Sequence, residues 1–254
     1  LSIRRQRQMC IRDRSKAFWF KAIPVFSREY RLVVFDNRGA GQSDKPDIPY
    51  TTEMMADDLA GLLDTIDIDS AHIFGHSMGG SIAQQFALRY PRRLRSLILA
   101  STSCGGPHAV ISNNPEVTHF FESMSSLPLK EVVKEWFRLF WRQDFIHNNP
   151  DFVKEFTDKI TEHPAPPHGI MRQGQAIMGH NTYERLPEIK VPTLVMTGDA
   201  DNLVPFENSK IIASRIPGAE LAILKDVGHH FMFEAEDEFN RIMLDFLRRH
   251  RTKK

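Results

Sequence analysis

From Ala17 onward, short apolar runs alternate with segments whose apolar positions recur every three or four residues. Arg31–Phe35 (RLVVF), Ala71–Phe74, Leu94–Ala100, Thr193–Thr197 (TLVMT) and Leu221–Leu224 are brief apolar runs; the first exits into Asp36-Asn37-Arg38-Gly39 and the second stops at Gly75. They predict strands. Between them, Met55, Leu59, Leu62, Leu63 and Ile66 fall at helical spacing in Thr52–Ile66. Ser81–Tyr90 places Ile82, Ala83, Phe86 and Ala87 on one face before Pro91, and Asn208–Ile216 is a further helix. Glu234–Arg249 carries Phe239, Ile242, Met243, Phe246 and Leu247 as an i, i+3, i+4, i+7, i+8 stripe. Near-continuous apolar strands separated by helices predict a parallel sheet covered on both faces.

Between Gly105 and about Pro187 the rhythm changes, and no strand pattern occurs. Helical patterns fall at Glu116–Met124, Lys130–Trp141, Asp151–Ile160 and Gly169–Gly179, with prolines between them. The expected organisation is an α/β core of 15–104 and 188–254 with a helical cap inserted over 105–187.

The first fourteen residues depart from this pattern. Five arginines stand there against Asp13 alone; the whole chain carries +1, and without this leader the balance turns negative. Such a segment invites reading as a transit peptide or a nucleic-acid arm. Arg4 to Asp13, RRQRQMCIRD, instead looks like the in-frame translation of a sequencing adapter. The expectation is that residues 1–14 are non-native, that the gene sequence resumes near Ser15, and that nothing here points to nucleic acid. The whole chain is 41% hydrophobic and 26% charged, with no run near the ~18 apolar residues of a membrane span. Two cysteines, Cys10 and Cys104, make no disulfide framework. The cytoplasm is the default expectation. His163, His168 and His180 lack metal-ligand spacing, so neither a metal nor a cofactor is expected.

The chemistry begins at Gly75-His76-Ser77-Met78-Gly79, a G-x-S-x-G pattern between a strand and a helix. A nucleophilic serine needs a tight turn there, and small residues at 75 and 79 let strand and helix approach. The Met78 N–H then sits at a helix N-terminus, where an oxyanion would develop. Serine needs a base, and the base needs an acid to orient it. Asp199 and Asp201 follow the 193–197 strand; Gly228-His229-His230 follow the next one. Serine, acid and histidine therefore all lie past strand carboxyl ends, in the order Ser, Asp, His.

Four stretches carry a resemblance: VFDNRGAGQSDKP (34–46), IFGHSMGG (73–80), VPTLVMTGDADNLVP (191–205) and GHHFMFEAEDEFN (228–240). From Trp19 on, the chain resembles the α/β-hydrolase superfamily, in its esterase and enol-lactone hydrolase branch. The resemblance implies Ser77 as nucleophile, His229 as base and Asp201 as its acid, the last because it precedes Val204-Pro205 by three residues. Asp199 is assigned to the turn, and His76, His72 and His230 to packing. Asp36, Arg38, Gly39, Gly41 and Ser43 make a structural turn. In the cap, Met124, Trp136 and Phe140 are the expected lining of an apolar pocket for a small-molecule substrate with an apolar acyl or alcohol group. The reaction implied is hydrolysis of a carboxylic ester or lactone through an acyl-enzyme. A C–C bond hydrolase, a cofactor-free haloperoxidase or perhydrolase, and a non-catalytic ligand-binding module are the alternatives. The sequence does not address oligomeric state.

In this family a second oxyanion donor comes from the loop after the third strand, and no matching run precedes Trp19. The first three family strands are therefore expected to be missing. The strand at 31–35 would then either pair directly with that at 71–74 or leave a gap, and the chain as it stands would be weak, inactive or unstable.

Overall fold

The computed structural model describes residues 8–12 and 16–251. In chain order it contains β1 (Gln8–Arg12), α1 (Ala22–Phe26), β2 (Arg31–Val34), α2 (Thr52–Thr65), β3 (Ala71–His76), α3 (Met78–Arg89) and β4 (Leu94–Ala100). Five helices follow: α4 (Pro115–Ser123), α5 (Leu129–Phe140), α6 (Gln143–Asn148), α7 (Pro150–Thr161) and α8 (Pro167–Met178). The chain closes with β5 (Thr193–Gly198), α9 (Glu207–Arg215), β6 (Glu220–Leu224), α10 (Phe231–Glu234) and α11 (Glu236–Arg249).

The strands form one six-stranded sheet in the order β2-β1-β3-β4-β5-β6, and every pairing is parallel. Successive side chains on a strand point to opposite faces, and two apolar layers result. Phe74, Ile98, Ala100, Leu194 and Met196 join Phe26 of α1 and Phe239, Met243, Phe246 and Leu247 of α11 on one face. Ile73, Leu97, Leu99 and Val195 join Met55, Leu59 and Leu63 of α2, Ile82 and Phe86 of α3, and Ile212 of α9 on the other. Of the expected stripe on α11, Ile242 alone stays partly exposed.

β2 neither pairs directly with β3 nor leaves a gap beside it. Gln8–Arg12 lies between β2 and β3 and pairs with both: Met9 is opposite Leu32 on one side and His72 on the other. Met9 is fully buried. The backbone groups that would have been left without partners in the interior thus find them in this segment, which is what a buried parallel sheet requires. The Arg-rich leader reads as surface by composition, but in QMCIR Met9 is buried and a backbone ladder runs to a neighbour on each side. Residues 1–7, 13 and 14, the rest of the expected leader, lie outside the described residues.

The neck of the helical segment is narrow. Gly105 and Asn181 form an isolated antiparallel bridge, and Thr182 N–H donates to Cys104 O at 2.9 Å. Gly105 adopts φ +68°, and a Cβ there would lie 2.0 Å from His180 O, so only glycine lets the two ends meet. The α8 end also touches the core through the 36–50 loop. Gln173 donates to Arg38 O at 2.8 Å, and Arg38 holds Asp58 of α2 with two N–H bonds. Among the described residues no strand falls between β4 and β5, and no helix is long and apolar enough to cross a membrane.

If β1 holds its central place, hydrogen exchange of the Met9–Ile11 amides will be as slow as that of the β3 amides. Exchange at the rate of an exposed segment would remove β1 from the sheet.

Candidate active site

Ser77 sits between the last residue of β3 and the first of α3, at φ 53°, ψ −122°. A side chain in that region of backbone space costs about 1–3 kcal/mol, and neighbouring bonds hold it there. Ser77 N–H donates to Ala100 O at 2.9 Å, while Ser77 O accepts from Gly80 N–H at 2.9 Å and from Thr102 Oγ1 at 2.8 Å. The turn is as tight as the glycines allow. A Cβ on Gly75 would stand 2.3 Å from Gly79 O, and one on Gly80 would stand 2.5 Å from Thr102 Cβ. Gly80 was not singled out in the pentapeptide, yet it keeps Thr102 close enough to brace the serine carbonyl. The helix begins at Met78, three residues before the apolar pattern suggested. Its first N–H groups have no acceptor within the helix, and Ser77 is the one residue from 71 to 80 that is not buried.

Asp201 follows β5. Its Oδ1 accepts from Leu203 N–H at 2.9 Å and Val204 N–H at 2.8 Å, and its Oδ2 accepts from His229 Nδ1 at 2.8 Å. Both side chains are buried. With Nδ1–H committed to the carboxylate, His229 Nε2 carries the lone pair. It is buried and makes no hydrogen bond among the described residues. Asp199 serves the turn: its Oδ1 accepts from Asp226 N–H at 2.6 Å. Two loops are thereby drawn together, since Asp199 N–H and Ala200 N–H also bond Leu224 O and Val227 O. A Cβ on Gly198 would lie 2.1 Å from Val227 O.

His229 is also joined to the serine turn. His76 Nε2 donates to His229 O at 2.9 Å, and the two rings lie 4.7 Å apart. His76 is thus more than packing: it ties the backbone of one candidate to the residue preceding another. No hydrogen bond joins Ser77 Oγ to the His229 ring. His230 accepts from Trp136 Nε1 at 3.0 Å, and burial holds its imidazole well below the usual range, with the neighbouring His229 and His76 adding to the effect. His72 is a satisfied core residue, bonded to Ser96 Oγ at 2.7 Å and pushed by burial down to about 4.

Of the three expected pocket residues, Trp136 and Phe140 of α5 lie against the His229–His230 loop. Phe140 is fully buried, 4.6 Å from the Trp136 ring, which itself bonds His230. Met124, in the turn after α4, is partly buried against the main apolar cluster. A cavity of about 540 Å³ lies between α4 and α5, lined by Glu116, His119, Phe120, Glu135 and Arg138 among others. None of Ser77, Asp201 or His229 lines it. The second oxyanion donor was expected to be missing from the chain; the residues directly after β1, 13–15, lie outside the described residues.

A family model described as alpha/beta hydrolase fold matches residues 14–236. The chain is 31% identical over 238 residues to the 2-hydroxy-6-oxononadienedioate/2-hydroxy-6-oxononatrienedioate hydrolase of Burkholderia vietnamiensis, covering 87% of this chain and 77% of that one. It is 30% identical over 234 residues to the poly(3-hydroxyalkanoate) depolymerase of Ectopseudomonas oleovorans, covering 92% and 81%. A solved hydrolase from Pseudomonas aeruginosa superposes with a TM-score of 0.83 at 25% identity, covering 96% of this chain and 91% of that one.

The strain at Ser77 has a measurable consequence. Ser77→Gly, which removes the Cβ at positive φ, is expected to raise unfolding stability by roughly 1 kcal/mol in urea titration. A fall of that size instead would mean that the turn is not strained as described.

Proposed function

The chain belongs to the α/β-hydrolase family, and on that premise we propose that it cleaves a carboxylic ester or lactone through an acyl-enzyme on Ser77. The observation that carries this reading is the Asp201–His229 bond, which fixes the imidazole with its Nε2 lone pair unused, beside the β3–α3 turn. In the reaction, His229 Nε2 takes the Ser77 hydroxyl proton as Oγ adds to the substrate carbonyl. The negative oxygen that forms is met by the Met78 N–H at the start of α3. As the tetrahedral species collapses, His229 returns the proton to the departing alcohol oxygen, leaving the acyl group on Ser77. Water then adds with His229 again as base, and the acid departs. Asp201 keeps the imidazole in the Nδ1–H form throughout and stabilises it when charged.

The substrate class is supported by the apolar character of α5 near His229, where Trp136 and Phe140 lie. A small molecule with an apolar acyl or alcohol group suits that wall, with Met124 as a more distant contributor. Poly(3-hydroxyalkanoate), named for one relative, is a polyester, which agrees with ester cleavage. The relative named for an unsaturated hydroxy-oxo diacid keeps carbon–carbon hydrolysis by the same three residues as the second reading. A second oxyanion donor, where one is in place, contributes roughly 10²–10³ in rate.

The test is hydrolysis of p-nitrophenyl butyrate together with labelling by a fluorophosphonate. Ser77→Ala is expected to lose labelling, and Ser77→Ala and Asp201→Asn to lower kcat by about 10⁴-fold or more. Undiminished turnover in Ser77→Ala, or saturable binding of the ester with no turnover in the unaltered protein, would overturn the reading.

A further inference from the structure

Glu234 closes α10, and its carboxylate turns back to two backbone donors far apart in the chain. Oε2 accepts from Gly228 N–H at 2.7 Å, immediately before His229. Oε1 accepts from Arg142 N–H at 2.9 Å, just past the end of α5. The two segments that it joins are already in close approach: a Cβ on Gly228 would lie 3.1 Å from Phe140 O. One turn back along α5, Trp136 donates to His230 at 3.0 Å.

We propose that Glu234 is a positioning residue for the base: its single carboxylate clamps the loop carrying His229 to the α5–α6 junction, so that the placement of the imidazole depends on the helical segment above it. The inference rests on the reading of Ser77, His229 and Asp201 as the reacting group, and goes beyond it by giving that group an anchor outside the sheet.

The chemistry of the contact favours a carboxylate over any other side chain. Both partners are N–H groups, and an ionised carboxyl offers only acceptors. Glutamine can satisfy one of them but presents its own NH₂ to the other. Burial pushes the Glu234 carboxyl above its usual range, and the two N–H bonds pull it back. Charge-assisted bonds of this kind are stronger than neutral ones. Asp201 steadies the His229 ring from the β5 side, His76 holds its carbonyl from the β3 side, and Glu234 holds the peptide before it from the helical side. A shift of about 1 Å in a catalytic group can cost on the order of 10²-fold in rate.

Arg142 allows the bond to be removed without touching Glu234. It has φ −64°, the value that proline imposes, and Trp141 before it is extended at φ −128°, ψ 153°, as a residue preceding proline should be. Arg142→Pro therefore deletes one N–H and leaves the backbone path in place. Its reference is Arg142→Ala, which keeps the N–H and loses only the guanidinium with its exposed Asp144 pair.

The experiment measures kcat and KM for p-nitrophenyl butyrate in the full chain. It also follows the low-field proton resonance of the His229 Nδ1–H held by Asp201. Glu234→Gln is expected to lower kcat by about 10-fold or more with KM changed less than about 3-fold, and to broaden or abolish the low-field resonance. Arg142→Pro is expected to fall about 5-fold below Arg142→Ala in kcat, the loss of one hydrogen bond. Unchanged kcat and resonance in Glu234→Gln would overturn the proposal, as would an effect confined to KM. If Glu234→Gln does not fold, the ratio of Arg142→Pro to Arg142→Ala decides, and a ratio near one overturns it. Full turnover in Ser77→Ala would sink the triad reading separately, while the resonance would still decide whether Glu234 positions His229.

Discussion

The bond between Asp201 and His229 spans 2.8 Å with both side chains buried, and most of the candidate site's geometry follows from what it takes to keep it there. A buried carboxylate is costly unless its oxygens are bonded, and here Leu203 N–H, Val204 N–H and the imidazole share the task. Those donors are available because the 199–205 turn is folded back onto the 224–228 segment by Asp199 and by the close approach of Gly198 to Val227. The two loops can meet because β5 and β6 are adjacent and parallel, so their carboxyl ends open on the same edge.

Ser77 comes to that edge by a different route. β3 is separated from β5 by β4, and Ser77 is brought up by a turn that no ordinary residue adopts at ease. Ala100 O, the Thr102 hydroxyl and Gly80 N–H bond the backbone of the strained serine and hold it, and His76 joins this turn to the histidine loop. Preorganisation is therefore distributed: rigid strands set the loop positions, and short polar contacts between loops set the angles. The helical segment takes part through Trp136, Arg142 and Phe140, which meet His230, Glu234 and Gly228.

Much of this could be read from residue order alone. The G-x-S-x-G turn between strand and helix is a local pattern with a local cause, and the family resemblance singled out the aspartate before Val204-Pro205 and the histidine after Gly228. The strands with long apolar runs were legible for the same reason. What escaped has non-local causes. β1 is short, carries a charged residue at its end and lies in a leader whose composition argues for the surface; only the vacancy between β2 and β3 shows why it is inside. The Gly80–Thr102 contact and the His76 bond to His229 O depend on which strands become neighbours. Glu234 was quoted within a motif, yet its two donors lie 6 and 92 positions away, a relation that no spacing rule contains.

The most direct measurement of the central claim is a crystal structure of the protein after reaction with a fluorophosphonate. Phosphorus is expected on Ser77 Oγ with fluoride expelled, its phosphoryl oxygen at the Met78 N–H, and His229 Nε2 within hydrogen-bond reach of the adduct with Nδ1 still on Asp201. Phosphorus on another side chain, or an adduct on Ser77 with the His229 ring turned away from it and from Asp201, would contradict it.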